Sequence, residues 1–151
     1  MINPMMPRHC IIVIEWRLPM KLINVVAAII FQNGEILATQ RGYGEFEGGW
    51  EFPGGKIEPG ETPEDALIRE IREELAIEII VDKLVTTIDY DYPNFHLNMQ
   101  CFLCTVLRGD ITLSEHSDAK WLSIENLESV SWLPADIEVV QTLIQFFTSS
   151  T

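Results

Sequence analysis

Positive charge is scarce in this sequence. Ten Lys and Arg stand against 23 Asp and Glu in 151 residues, giving a net charge of −13 and a pI near 4.5. Such a chain carries no basic face for a nucleic-acid backbone or an anionic lipid surface, which excludes both as partners. Long apolar runs are missing as well. No stretch reaches the about 18 residues that a membrane-spanning helix needs. Cysteine is sparse: three residues are an odd number and no disulfide scaffold. That count fits a reducing, cytoplasmic setting. Internal repeats, low-complexity tracts and linkers are also absent. What remains is 47% hydrophobic and 22% charged, the composition of one globular domain. A strongly acidic protein that takes an anionic substrate needs a cation between the two.

Residues 1–19 read as an N-terminal extension, with Ile11 to Ile14 as the alternative of an added edge strand. Met20 and Lys21 then open a domain expected over residues 20–148. Two apolar runs, Leu22 to Phe31 and Ile36 to Thr39, flank Asn33-Gly34, a strong hairpin signal. Residues 42–50 hold four glycines and predict a loop. Trp50-Glu51-Phe52 predicts a short strand stopped by Pro53-Gly54-Gly55. Thr62-Pro63-Glu64-Asp65 carries the signature of a helix start. Ala66, Leu67, Ile71 and Leu75 give that helix its apolar stripe. Strands are expected at 77–92, 96–107 and 119–123. A last helix runs from Asp136 to Phe147, with apolar residues at 137, 140, 143, 144 and 147. The fold class is α+β, a mixed sheet with two main helices.

The chemistry concentrates between Gly54 and Ile77. Glu70, Glu73 and Glu74 share one helix face, where like charges repel. Between Glu61 and Glu78 there are seven acids and two bases, a local charge of −5. One reading is a solvated acidic face. The other is a cluster that holds Mg²⁺, a hard ion bound by a few carboxylates and substrate phosphates. Clustering without interleaved Lys, next to a Gly-Gly segment that lets backbone approach a ligand, favours the second.

This segment resembles the Nudix box, Gly-x5-Glu-x7-Arg-Glu-apolar-x-Glu-Glu-x-Gly-apolar. Gly55, Glu61, Arg69, Glu70, Ile71, Glu73, Glu74 and Ile77 match it, eight of nine positions, and Ala76 stands where the family has Gly. Ala there should cost at most about 1 kcal/mol if φ is positive. The strand from Met20, Gln40-Arg41, Trp50 to Lys56 and Pro134-Ala135-Asp136-Ile137 resemble the MutT-type branch. Within it they are most like bacterial CTP pyrophosphohydrolases and 8-oxo-dGTP diphosphatases.

The resemblance implies a Nudix fold, a mixed β-sheet sandwiched between helices (α/β/α). It implies hydrolysis of a nucleoside triphosphate to the monophosphate and pyrophosphate. It implies Mg²⁺, with Mn²⁺ as the alternative ion, held by Glu70, Glu73, Glu74 and the Gly54 carbonyl. Glu115 is implied as a further metal-binding or base carboxylate, its alternative being an exposed loop acid. Arg69 is implied to orient the Glu cluster, against a plain helix ion pair. Glu61 is implied to support the metal ligands from behind. Arg41 and Lys56 are implied as substrate contacts, with a surface role as the alternative for Arg41. His116, beside Glu115, could serve as a base, but a lone loop histidine is more often simply solvated.

For base recognition, Asp136 can accept from an exocyclic amino group, and so fits CTP or an oxidised dGTP alike. Its alternative is to stabilise the helix start. Phe52 and Tyr92 can stack on a base or fill the core. Cys101 and Cys104 lie three apart on a strand and so face opposite sides, which argues against a shared metal. The competing reading of the whole is a catalytically silent module of the same fold that binds a nucleotide or a protein. Retention of all three box carboxylates favours the enzyme. A nucleotide-sugar or dinucleotide substrate is disfavoured by the short chain and MutT-like ends. Either a monomer or a homodimer is compatible with the sequence.

Overall fold

The computed structural model describes residues 20–149. The expected extension at 1–19, with its alternative edge strand, lies outside them. Strand β1 (Lys21–Gln32) turns into β2 (Glu35–Arg41). The turn residues Asn33 and Gly34 take φ of 53° and 80°, as a two-residue hairpin turn of this hand requires. Then come β3 (Trp50–Glu51), β4 (Gly54–Lys56), helix α1 (Pro63–Leu75), β5 (Glu78–Tyr92), β6 (Phe95–Arg108), β7 (His116–Ser123), a 3₁₀ turn at Ile124–Ser129 and helix α2 (Pro134–Thr148). No helix among the described residues is long and apolar enough to cross a membrane.

The seven strands form a mixed sheet in the order β3-β2-β1-β6-β5, with β4 also on β1 and β7 also on β2. β1 runs parallel to β6, Ala27 opposite Cys101. Its apolar run is continuous because both faces are covered. Ala27 and Ile29 point to the layer that holds Val139, Val140 and Leu143 of α2. Val26, Ala28 and Ile30 point to the layer that holds Leu67, Ile71 and Leu75 of α1. The α/β/α sandwich follows directly from this two-sided burial. Cys101 and Cys104 fall in opposite layers, as their spacing requires, and burial pushes the Cys104 thiol up to about 12.

Three expectations change. The short strand at Trp50–Glu51 ends before Pro53 as expected, but Gly54-Gly55 is itself extended. After the break at Pro53 the chain resumes as β4, with Gly54 paired to Ala27. A Cβ at Gly54 would overlap the Val26 carbonyl oxygen, so only glycine lets β4 lie this close to β1. In α2, Ile137 is 49% exposed, and the buried stripe is Ala135, Asp136, Val139, Val140 and Leu143. Helix α2 starts two residues before Asp136, with Leu133 at the N-cap position and no side-chain cap; Asp136 lies in its first turn.

Helix α1 begins where expected, with Thr62 Oγ1 accepting from the Asp65 amide at 3.1 Å. It ends at Ala76, which takes φ 59° and ψ 31°. A left-handed alanine is strained by its Cβ. Ala76→Gly should therefore raise stability by up to about 1 kcal/mol, or about 2–4 °C in Tm. Thermal melts of the two proteins check it.

Candidate active site

Arg69 is the hub of the acidic helix face. Its guanidinium donates from Nε and Nη2 to Glu61 at 2.7 and 2.9 Å, and from Nη1 to Glu70 at 2.9 Å and Glu73 at 3.5 Å. Nη2 also reaches the Lys56 carbonyl at 3.1 Å. The i,i+4 contact to Glu73 is thus the weakest of the set. The paired contact with Glu61 does most to tie the helix to the turn before it. Hydrogen bonds from Arg69 and from the Glu58 amide hold the Glu61 carboxyl down to about 2.

Glu74 has the opposite environment. The residue is 8% exposed, and its Oε2 is buried without a hydrogen-bond partner. Burial first, then the neighbouring carboxylates of Glu70, Glu115 and Glu51, push its carboxyl up to about 9. A buried carboxylate among like charges is costly unless a cation joins it. Glu73 is 60% exposed at its side chain.

Glu115 reaches this cluster because the segment before it caps α1. The Thr112 amide donates to the Leu75 carbonyl at 2.9 Å. Ser114 Oγ donates to the carbonyls of Glu73 and Glu74 at 3.2 Å each. Carbonyls left over at a helix end are satisfied this way, and Glu115 lands beside Glu74. Gly42 packs against this segment; a Cβ there would come 2.7 Å from the Glu115 carbonyl oxygen.

Glu51 and His116 were not singled out correctly by sequence. Glu51 accepts from Arg41 Nε at 3.2 Å and Nη2 at 2.7 Å. His116 is not solvated: it opens β7, its side chain is 7% exposed, and its Nε2 lies 3.5 Å from Glu51. The register shift between Gln40 and Arg41 sets Arg41 opposite His116. Burial alone would raise the Glu51 carboxyl, but His116 and Arg41 outweigh it and hold it below the ordinary range.

Two open cavities, of about 150 and 250 Å³, meet here. One is acidic, lined by Glu74, Glu115, His116 and Tyr43. The other is apolar, lined by Phe46, Phe52, Tyr92, Met99 and Asp136. Arg41, Glu51 and Gly54 line both. Phe52 stacks on Trp132 at 4.4 Å, so one of its faces is spoken for. Tyr92 accepts from the Ala135 amide through its hydroxyl at 3.2 Å. Asp136 accepts from the Phe52 amide at 3.1 Å, and burial pushes its carboxyl up to about 8. Lys56 is exposed and lies on a separate depression with Lys21 and Asn24, away from both cavities.

No group of three or more His, Cys, Asp or Glu among the described residues is gathered in ready ligand geometry. The donor set nevertheless fits a divalent cation. The orphaned Glu74 Oε2 is a buried carboxyl oxygen with no hydrogen-bond partner, which a cation would ionise and pair. The Glu70 carboxylate lies where a Cβ on Gly55 would sit, with Oε1 2.7 Å from that position. Hard oxygen donors of this kind suit Mg²⁺.

The NUDIX domain family matches residues 21–143. The CTP pyrophosphohydrolase of Escherichia coli (strain K12) is 36% identical over 126 residues, 83% of this chain and 93% of that protein. The 8-oxo-dGTP diphosphatase of the same strain is 33% identical over 126 residues, 82% of this chain and 98% of that one. The solution structure of the E. coli ORF135 protein superposes with a TM-score of 0.76 at 35% identity, covering 86% of this chain and 94% of that one. A match over this span, on a sheet and helix face of this geometry, shows that the chain belongs to the NUDIX domain family and is a Nudix hydrolase.

Proposed function

We propose that the protein is a Mg²⁺-dependent nucleoside triphosphate pyrophosphohydrolase, releasing a monophosphate and pyrophosphate, with CTP or an oxidised nucleotide such as 8-oxo-dGTP as substrate. The observation that carries this reading is the joined pair of cavities, one aromatic and one acidic, sharing Arg41, Glu51 and Gly54. A nucleotide has the same two halves, a flat base and a polyanion. The names of the two E. coli relatives support the substrate class.

In this reading Glu70, Glu73, Glu74, Glu115 and the Gly54 carbonyl hold the cation. A bound divalent cation neutralises phosphate charge and lowers the pKa of a water. Arg69 holds Glu70 and Glu73 in place, and Glu61 holds Arg69. Arg41 stands at the junction of the cavities, where it can donate to a phosphate oxygen while Glu51 fixes its plane. Phe52 and Tyr92 wall the base cavity. The Asp136 carboxyl, kept protonated near neutrality by burial, can donate to one base atom and accept from another. That pairing serves cytosine and an oxidised guanine alike. Lys56 has no part in this arrangement. The free, buried thiols suit a cytoplasmic enzyme.

The test is pyrophosphate release with Mg²⁺ at slightly alkaline pH across CTP, dCTP, 5-methyl-dCTP, dGTP, 8-oxo-dGTP, ADP-ribose and a dinucleoside polyphosphate. Strong turnover of one triphosphate is expected, lost in Glu73→Gln. A folded, Mg²⁺-binding protein that turns over none of them would overturn the reading in favour of a silent binding module.

A further inference from the structure

The loop between β2 and β3 carries a residue that neither the helix motif nor the acidic cluster explains. Phe46 takes φ 67°. A bulky side chain in the left-handed region is a strained backbone outlier. Gly44 and Gly48, on either side, also have positive φ, 78° and 88°. At those two positions the loop uses glycine, and between them it uses an aromatic.

Core packing does not explain that choice. Phe46 remains 36% exposed. Its ring meets Tyr92 at 5.4 Å, tilted by 55°, and it lines the apolar cavity at its mouth. The loop that presents it is tied shut. The Gly49 amide donates to the Phe46 carbonyl at 3.0 Å, the Gly48 amide to the Arg41 carbonyl at 2.9 Å, and the Arg41 amide to the Gly49 carbonyl at 2.9 Å. Arg41 Nη1 reaches the Glu45 carbonyl at 3.3 Å, and Gln40 Nε2 the Gly48 carbonyl at 3.0 Å. The strained conformation is thus over-determined by its surroundings, the usual setting for strain that serves a ligand site.

We propose that Phe46 is a specificity-determining residue, an aromatic roof that stacks on the nucleobase in the cavity it lines with Phe52, Met99 and Asp136. The inference rests on the triphosphate reading above. Arg41 links the roof to the polyphosphate half, because one guanidinium holds both Glu51 and the Glu45 carbonyl. A base seated under Phe46 therefore places its phosphates beside the group that contacts them.

Phe46→Asn and Phe46→Tyr test it together. Asparagine tolerates positive φ and has no aromatic face, while tyrosine keeps the face. Phe46→Asn should leave Tm unchanged or raised, increase KM for the preferred triphosphate by about ten-fold or more, and leave kcat within about two-fold. Preference among bases should narrow. Phe46→Tyr should restore KM. Titration of CMP and of 8-oxo-dGMP, without turnover, should show the same loss in Phe46→Asn for whichever binds the wild type. Unchanged KM and unchanged monophosphate affinity in Phe46→Asn would overturn the roof. So would a fall in Tm of several degrees, which would make Phe46 a cover for Tyr92. If the wild type turned over no triphosphate, the function reading would fail, and the monophosphate titration would still decide the roof.

Discussion

Replacing Glu74 by Gln should stop turnover while making the metal-free protein more stable. The two effects have one cause. Glu74 is buried with Glu70, Glu115 and Glu51 around it, and its carboxyl is pushed up to about 9 from an ordinary 4.5. Folding without a cation must then either carry a proton on Glu74 or tolerate a buried charge without a partner. Gln keeps the shape and removes both burdens. A gain of about 1–2 kcal/mol is expected in metal-free buffer near pH 9, roughly 3–6 °C in Tm. Turnover should fall at least about 10²-fold, the scale for losing one fixed group that stabilises the transition-state charge.

The pH dependence has a definite sign. Glu74 has a folded pKa above its unfolded one, so its contribution to stability is full below about 4.5 and is lost as pH rises toward about 9. Asp136, pushed up to about 8, acts in the same direction. The metal-free protein should therefore lose stability from mildly acid to alkaline pH. On the proposed reading Mg²⁺ would bind the ionised form of Glu74, so its addition should raise Tm more at pH 9 than at pH 6, and should release a proton. Glu74→Gln should show almost no Mg²⁺-dependent shift at either pH. Melts in chelator and in Mg²⁺ at both pH values check this. An equal Mg²⁺ shift in wild type and variant would remove Glu74 from the ligand set.

Features carried by local pattern were legible in the sequence. The Asn33-Gly34 hairpin, the Thr62 cap, the apolar stripe of α1 and the box carboxylates all depend on neighbours within a few residues. What escaped depends on long-range geometry. Glu51 and His116 meet only because of a register shift opposite Arg41, and β-strand register is not written in either segment alone. Glu115 could be named only by resemblance, because the backbone that brings it to Glu74 caps a helix forty residues earlier in the chain. Gly54-Gly55 looked like a strand stop because glycine usually is one; here it is a strand made of glycine so that another backbone can come close. Phe46 gave one faint signal, an aromatic among four glycines. Lys56 followed the family pattern in sequence, but its side chain lies away from both cavities.

That glycine pair yields the second large effect, and its two members should fail differently. A Cβ on Gly54 would overlap the Val26 carbonyl oxygen and stand 2.9 Å from the Ala27 Cα. Both are backbone atoms of β1, inside the sheet, and neither can move without breaking the pairing of Gly54 with Ala27. Gly54→Ala should cost about 3 kcal/mol or more and lower Tm by roughly 6–12 °C, with activity lost because β4 is pushed off β1. A Cβ on Gly55 meets something quite different: its three nearest atoms all belong to the Glu70 carboxylate, the far end of a flexible side chain. That carboxylate can swing away at little cost to the fold. Gly55→Ala should therefore keep Tm within about 2 °C of wild type in chelator. It should weaken Mg²⁺ binding about 10–100-fold, because Glu70 no longer lies over β4 between Arg69 and Glu74. Adding Mg²⁺ should partly restore its turnover, whereas no Mg²⁺ concentration should restore Gly54→Ala. Equal Mg²⁺ affinity in Gly55→Ala and wild type would mean that Glu70 serves only as a partner for Arg69. The bare backbone at Gly54 would then be there for the sheet, and the one at Gly55 would have no part in the metal site.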